Sequence, residues 1–305
     1  MSELDPRVNA FRPDLADARL RGQVQAKRFV QPALMRVADS RLAMFAAPEK
    51  MAAMSSELRA GELVDVFERK DGLAWVQNRS DQYVGYVAAN GLSETLADTA
   101  WRIVSPLAYV HPEPDIKTIP QDMVPFPARV AVTKFFPEGW AQLSTGGFVS
   151  DRHLEPATQR HNDYVFTAGR LLNAPYLWGG RTAQGIDCSG LVQVALELAG
   201  IECPRDSDQQ RQAFGAPPPA NWSDYPFTRG DIVFFKGHVG MMADATHLLH
   251  ANSHHMKVTS EPLADVVARG QTILAIGDGA AIRRAMQPER STQAGKTGRP
   301  PSPDP

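Results

Sequence analysis

Between Gln31 and Leu92 the apolar residues come in short alternating runs. Leu63, Val64 and Val66 form one, Trp75 and Val76 a second, and Tyr83-Val84-Gly85-Tyr86-Val87 a third. Turn residues separate them, notably Lys70-Asp71-Gly72 and Asn78-Arg79-Ser80-Asp81. A period of two, broken at short intervals, predicts the strands of a small β-barrel. The pattern returns after Trp101. There Arg129-Val130-Ala131-Val132 echoes the first valine pair, Glu138-Gly139-Trp140-Ala141-Gln142 echoes Gly72 to Gln77, and Gly146-Gly147-Phe148-Val149 echoes the tyrosine-valine strand. The repeat predicts two barrels of about sixty residues each, a size that folds alone. Pro106, Pro112, Pro114, Pro120, Pro125, Pro127 and Pro137 make the second copy loop-rich. Ahead of both, a polar arm carries one expected short helix around Leu15 to Val24.

From Asn162 the pattern turns helical. Tyr164, Ala168, Leu171 and Leu172 form a stripe that ends before Pro175. A glycine-rich stretch, Tyr176 to Gly190, then leads into a second stripe of Leu191, Val192, Ala195, Leu196, Leu198 and Ala199. Asp187 suits the N-cap of that helix and Gly200 its stop, which places Cys188 in the first turn. Asp231-Ile232-Val233-Phe234-Phe235 reads as a buried strand. His238 to Met242 and Thr246 to His250 read as two more, joined by Ala243-Asp244-Ala245. The last residues, from about Gln287, have no apolar content to bury and are expected to be disordered.

The 305 residues are 43% hydrophobic, enough for two or three packed domains. With 32 basic and 34 acidic residues and a net charge of −2, nothing points to nucleic acid or an anionic membrane as partner. No apolar run is long enough to span a bilayer, and the start, Met-Ser-Glu-Leu-Asp-Pro, lacks the hydrophobic segment of a secretory signal. Cys203 lies beyond the far end of the helix opened by Cys188, and about twelve helical residues span about 18 Å, too far for a bridge. Both thiols are expected to be reduced and the chain cytoplasmic. The sequence does not give the oligomeric state.

Cys188 is the candidate nucleophile. Unpaired N–H groups of a first helical turn favour a thiolate, and the surrounding glycines predict an exposed sulfur. The commoner fate of a cysteine is a small buried hydrophobe. The neighbouring Asp187 charge opposes ionisation, so that carboxylate must be occupied by backbone N–H groups. A hairpin centred on Asp244 sets His238 opposite His250, with Cβ atoms about 4.5–5.5 Å apart on one sheet face. Two imidazoles so placed suit a base and the group that orients it, provided Cys188 packs over the same face. A metal cluster of His247, His250, His254 and His255 is the weaker alternative, because no carboxylate or cysteine supports the spacing and positions 247 and 250 point to opposite faces. No metal or cofactor is expected.

With Cys188, His238 and His250 in this order, the C-terminal part resembles the NlpC/p60 family of bacterial cell-wall cysteine peptidases. The matching pieces are Pro175-Tyr176-Leu177-Trp178-Gly179-Gly180, Asp187-Cys188-Ser189-Gly190-Leu191-Val192, Gly230-Asp231-Ile232-Val233-Phe234-Phe235, Gly237-His238-Val239-Gly240 and Leu249-His250-Ala251. The resemblance implies an α+β fold: a papain-like catalytic domain preceded by two bacterial SH3-like barrels. It implies Cys188 as nucleophile, His238 as base and His250 as the residue that orients it. Through Arg205-Asp206-Ser207-Asp208-Gln209-Gln210 it assigns Asp206 and Ser207 to an L-alanine amine, and it places Tyr176 in the nucleophile's pocket. Glu57, Tyr83 and Tyr86 of the first barrel become candidates for a subsite wall. The implied substrate is a murein peptide with an unblocked amine, cut between γ-D-glutamate and the diamino acid, as in cell-wall recycling.

The resulting division is an arm at 1–29, barrels at 30–97 and 98–158, a peptidase domain at 159–286 and a tail at 287–305. Two other functions stand beside this one. In a non-catalytic wall-binding protein the barrels would do the work, which leaves the Cys-His-His set without a purpose. An amidase or acyltransferase on other amides would keep the chemistry and change the substrate, since fold does not fix substrate.

Overall fold

A computed structural model describes residues 4–49 and 52–285; the tail expected at 287–305 lies outside the described residues. The arm is not helical. It forms a small sheet of β1 (Phe11–Arg12), β2 (Leu15–Asp17) and β3 (Arg28–Val30), with one 3₁₀ turn at Ala18–Leu20 where the helix was expected. Tertiary packing overrides the helical pattern: Ala10 and Leu15 are buried with Phe67 and Trp75, against the sheet that follows.

That sheet has seven antiparallel strands: β4 (Ala33–Val37), β5 (Arg41–Phe45), β6 (Met54–Arg59), β7 (Leu63–Lys70), β8 (Leu73–Asn78), β9 (Val84–Ala88) and β10 (Leu92–Ser93). Its order is β10-β4-β7-β8-β9-β5-β6, so β10 and β6 remain edges and the expected barrel is an open sheet in its hydrogen bonding. Alternate residues, among them Met35, Val37, Met44, Val64, Val66, Ala74, Val76 and Val87, form one core.

The second β-rich unit is looser. Its strands are β11 (Trp101–Ile103), β12 (Leu107–Val110), β13 (Asp122–Pro125), β14 (Arg129–Val130), β15 (Val132–Phe136), β16 (Trp140–Leu143), β17 (Phe148–Ser150) and β18 (Leu154–Pro156). They fall into three small sheets around a core that includes Ile103, Val110, Val124, Ala141 and Val149. The repeat seen in the sequence has a counterpart here. β8, β9, a 3₁₀ turn at Ala89–Gly91 and β10 are matched by β16, β17, a 3₁₀ turn at Asp151–His153 and β18.

The remainder mixes helices and strands: α1 (Tyr164–Gly169), β19 (Arg181–Thr182), β20 (Gly185–Ile186), α2 (Cys188–Leu198), α3 (Ser207–Phe214), β21 (Ile232–Phe235), β22 (His238–Met242), β23 (His247–Asn252), β24 (Lys257–Pro262), α4 (Leu263–Ala268), β25 (Ala275–Gly277) and α5 (Gly279–Ala285). The five longer strands form an antiparallel sheet in the order β24-β23-β22-β21-β25. Both faces are covered. Phe234, Val239, Met241, Leu249 and Ala251 pack with the helix residues Leu191, Val192 and Ala195, while Phe235, Met242 and Leu248 pack with Leu263 and Val266.

The hairpin register differs from expectation. Met241 pairs with Leu249 and Met242 with Leu248, so the hairpin is centred on Ala245 and His250 falls beside Gly240 rather than opposite His238. Met242 meets Leu248 instead of Thr246, so the connection between paired residues is longer by two. The Ala243 N–H donates to the His247 carbonyl, and Asp244 Oδ1 accepts from the N–H groups of both Thr246 and His247. A shift by two residues keeps the parity of the pleat, so both histidines still share one face.

No helix among the described residues is long and apolar enough to cross a membrane.

Candidate active site

Asp187 N-caps α2, its Oδ1 accepting the Gly190 N–H at 2.7 Å and its Oδ2 the Gly179 N–H at 2.8 Å. The expected backbone donors are therefore in place, and Arg205, which lies within a matching stretch but was given no role by the resemblance, completes them. Arg205, itself buried, grips the same carboxylate through both Nη atoms, at 3.0 and 2.6 Å, and holds Ser189 Oγ at 2.9 Å. Its charge offsets the acid next to the nucleophile. Nothing in the local pattern distinguishes Arg205 from a solvated loop arginine, because its partner lies eighteen residues away.

Cys188 is buried at 6% exposure, where the glycine-rich flank predicts an open sulfur. Burial and the Asp187 charge push its thiol up to about 12, against the pull of N–H groups from Val239 and Ser189. The body of α2 packs on the sheet face carrying Val239 and Met241, not on the face of the histidines as expected. Cys188 shares a packed cluster with Val239 of β22, one residue from His238.

The two histidines are joined directly, His238 Nε2 lying 2.7 Å from His250 Nδ1. Gly240 makes this possible. A Cβ there would come within 2.9 Å of the His250 Cβ, so only glycine lets His250 lie along the diagonal towards His238. Burial first, then His250, pushes His238 down to about 3. Burial also lowers His250, against Glu261. The chain of contacts continues beyond the expected set. His250 Nε2 lies 2.8 Å from Glu261 Oε1, and Arg269 reaches Glu261 through both Nη atoms, at 2.8 and 2.7 Å. Burial notwithstanding, Arg269 and His250 hold the Glu261 carboxyl down at about 2.

This network assigns the protons. Ionised Glu261 is an acceptor only, so His250 carries its proton on Nε2 and accepts at Nδ1. The amide of Asn252, 3.1 Å from the same Nε2, finds its own acceptor in Thr259 Oγ1 at 2.8 Å. His238 must then donate from Nε2, which leaves its Nδ1 as the unprotonated nitrogen. Glu261 and Arg269 were missed because neither spacing nor motif marks them. The pairing of His250 with Thr259 across β23 and β24 is what brings them near.

Of the proposed subsite residues, Tyr176 packs against the cluster that holds Cys188. Burial and the nearby Cys188 both raise its phenol. Asp206 occupies the N-cap position of α3 yet makes no capping hydrogen bond. Its Oδ2 instead accepts from Tyr83 Oη at 3.1 Å and from Arg7 Nη1 at 2.8 Å. Ser207 follows as the first residue of α3, half-buried. Glu57 is not open to a cleft: it is buried, with the Arg181 N–H on Oε2 at 3.0 Å and Arg41 on Oε1 at 3.2 Å. Tyr86 lies on the other side, where its Oη accepts from Arg12. Cys203, the other free thiol, is buried, and its carbonyl accepts from Gln193. His247 is held by Asp244, and His254 stacks edge-on against His255, so the four histidines considered for a metal do not converge.

Residues 173–274 match the NlpC/P60 family model, and residues 44–92 match the bacterial dipeptidyl-peptidase SH3 domain. A dipeptidyl-peptidase 6 from Lysinibacillus sphaericus is 28% identical over 232 residues, 68% of this chain and 84% of that one. A γ-D-glutamyl-L-lysine dipeptidyl-peptidase from Bacillus subtilis is 31% identical over 115 residues, 34% of this chain and 37% of its own length. The crystal structure of an NlpC/P60 family protein from Bacillus cereus superposes with a TM-score of 0.64 over 81% of this chain and 99% of that chain; at 16% identity this is a likeness of fold.

Proposed function

The chain belongs to the NlpC/P60 family of cysteine peptidases, with a bacterial SH3 domain on its N-terminal side, and from that premise we propose that it cuts free murein peptides between γ-D-glutamate and the diamino acid. The observation that carries the substrate reading is Asp206. A carboxylate that stands at a helix N-cap and does not cap has been turned towards the N-terminal sheet, where it meets Tyr83. Among the described residues its Oδ1 has no protein donor, and with Ser207 Oγ it suits an ammonium group. The relatives' names, a dipeptidyl-peptidase 6 and a γ-D-glutamyl-L-lysine dipeptidyl-peptidase, agree with release of a dipeptide read from its amine end.

In this reading Cys188 and His238 rest as neutral thiol and neutral imidazole. The sulfur attacks the γ-carbonyl carbon while His238 Nδ1 takes the thiol proton. The carbonyl electrons move to oxygen, where first-turn N–H groups of α2, which have no intrahelical acceptor, receive them. Collapse expels the diamino acid, whose amine takes the proton from His238. Water then attacks the thioester carbon and gives one proton to His238; the C–S bond breaks, the γ-carboxyl product leaves, and the sulfur takes that proton back. His250 orients His238, Glu261 fixes the tautomer of His250, and Tyr176 walls the pocket. The two β-rich units, at 30–97 and 98–158, serve as tandem SH3-like domains ahead of a peptidase domain at 159–286. A substrate with a free amine fits a cytoplasmic recycling role.

The test compares kcat/KM for L-alanyl-γ-D-glutamyl-diamino acid and its N-acetylated form. Loss of the amine charge leaves Asp206 Oδ1 without a donor in a partly desolvated site, so the free peptide is expected to be cut more than about a hundredfold faster. Equal rates would reject the amine reading and leave the Cys-His-His chemistry standing.

A further inference from the structure

The arm, whose residues carry no motif, reaches the site. Arg7 Nη1 lies 2.8 Å from Asp206 Oδ2 and 3.0 Å from Asp208 Oδ1, and Arg7 Nη2 lies 2.9 Å from Asp208 Oδ2. The other side of the guanidinium is fixed by Asp5, through Nε at 3.1 Å and Nη2 at 2.8 Å. Asp5 in turn accepts from Gln209 Nε2 of α3 at 3.0 Å. A neighbouring residue is tied down as well: the carbonyl of Val8 accepts from Gln77 at 2.9 Å, on β8 of the first sheet. Arg7 is thus held in place by its own segment before it meets Asp206.

We infer that Arg7 is a specificity-determining residue, which positions the Asp206 carboxylate for the substrate amine. The inference rests on the amine reading above. Arg7 and Tyr83 both bind Oδ2, which fixes the carboxylate plane and presents Oδ1 to the incoming ammonium. Burial works against the charge of Asp206, and Arg205 and Arg7 work for it. A guanidinium so close to a cation site could instead repel the ligand or plug the site. The local charge count decides between these. Asp5, Asp206 and Asp208 surround the one guanidinium, so the cluster stays anionic with Arg7 in place and still attracts a cation.

The experiment measures kcat and KM for the free and N-acetylated tripeptides with wild type, Arg7→Met and Arg7→Lys, after thermal melts establish that each variant is folded. Arg7→Met is expected to raise KM for the free peptide about tenfold with kcat within about twofold, because the loss is in ground-state binding. Arg7→Lys should recover part of that loss. Rates on the acetylated peptide should not move, which a general loss of structure would not allow. An unchanged KM in Arg7→Met would overturn the inference, and a lower one would overturn it and identify Arg7 as a plug. Equal wild-type rates on the two peptides would instead remove the amine reading, and this inference with it, before any substitution is considered.

Discussion

At Cys188, burial and the Asp187 charge act in one direction and two backbone N–H groups in the other, and burial prevails, with the thiol pushed up to about 12. Cys188→Ala should abolish cleavage without loss of fold. Turnover above a few per cent of wild type in a folded variant would contradict the nucleophile, and a dead but folded Cys203→Ala would identify the wrong thiol. The opposite shift at His238, down to about 3, has a consequence for stability. Between about 3 and the ordinary imidazole value near 6.5 the unfolded chain binds a proton that the folded one refuses. Stability is therefore full above 6.5 and lost as pH falls through that window. Glu261 contributes in the same direction, but only as pH falls from its ordinary range towards about 2. Melting temperature against pH should show a shallower fall between 6.5 and 3 in His238→Asn than in wild type; parallel curves would mean that His238 is not buried neutral. Glu261→Gln keeps an acceptor for His250 and removes the charge. It is expected to lower kcat about tenfold while leaving KM for the free tripeptide in place, and a KM effect alone would assign Glu261 to packing.

The hairpin β22–β23 shows how far an element can be read from its own residues. Pairing parity was legible, because one turn signal and a period of two fix which side chains share a face. The register itself was not, since Asp244 closes its loop with side-chain hydrogen bonds that set the pairing two residues further on. Cys188, its cap Asp187 and the helix they open were legible because each is defined by neighbours in sequence. Arg205, Glu261 and Arg269 were not, because each acts on a partner brought close only by the fold. The arm failed for a related reason: Leu15 is buried against Phe67 and Trp75, which lie some fifty residues on, and that packing outweighs a weak helical pattern. Gly240→Ala tests the hairpin directly. The new methyl group would press on the His250 Cβ from 2.9 Å, so the two rings must separate. Turnover is expected to fall at least about tenfold for a loss of about 1–3 kcal/mol in stability. Retained turnover would show that His250 need not touch His238.

At the scale of the molecule, the first sheet and the peptidase domain are joined by buried charge. Arg181 has no exposed surface, and its side chain reaches both the Glu57 carbonyl, at 2.9 Å, and Glu62, at 3.1 Å. Arg59, on β6, pairs with Glu62 at 2.6 Å and with Glu197 of α2 at 2.8 Å. Arg205 Nε donates to Ser56 Oγ at 3.0 Å, so the arginine that neutralises Asp187 is itself steadied from the sheet. Gly179, with φ of +81°, leaves room for Met54 and Ser56 to approach the loop before the nucleophile. Glu62→Gln should cost about 3–5 kcal/mol, because Arg59 and Arg181 would share one fewer buried anion, and a chemical denaturation curve would read it. Loss of less than about 1 kcal/mol would mean that water reaches the network.

A seam of this kind restricts what can be recombined. Cutting the chain between sheet and peptidase would strand Arg181 without the Glu57 carbonyl and Glu62, and would take Ser56 away from Arg205. A peptidase domain grafted onto another carrier should therefore fail to accumulate as a soluble product unless the first sheet, with Glu57 and Glu62, travels with it. For this enzyme the smallest heritable unit is the sheet and the peptidase together.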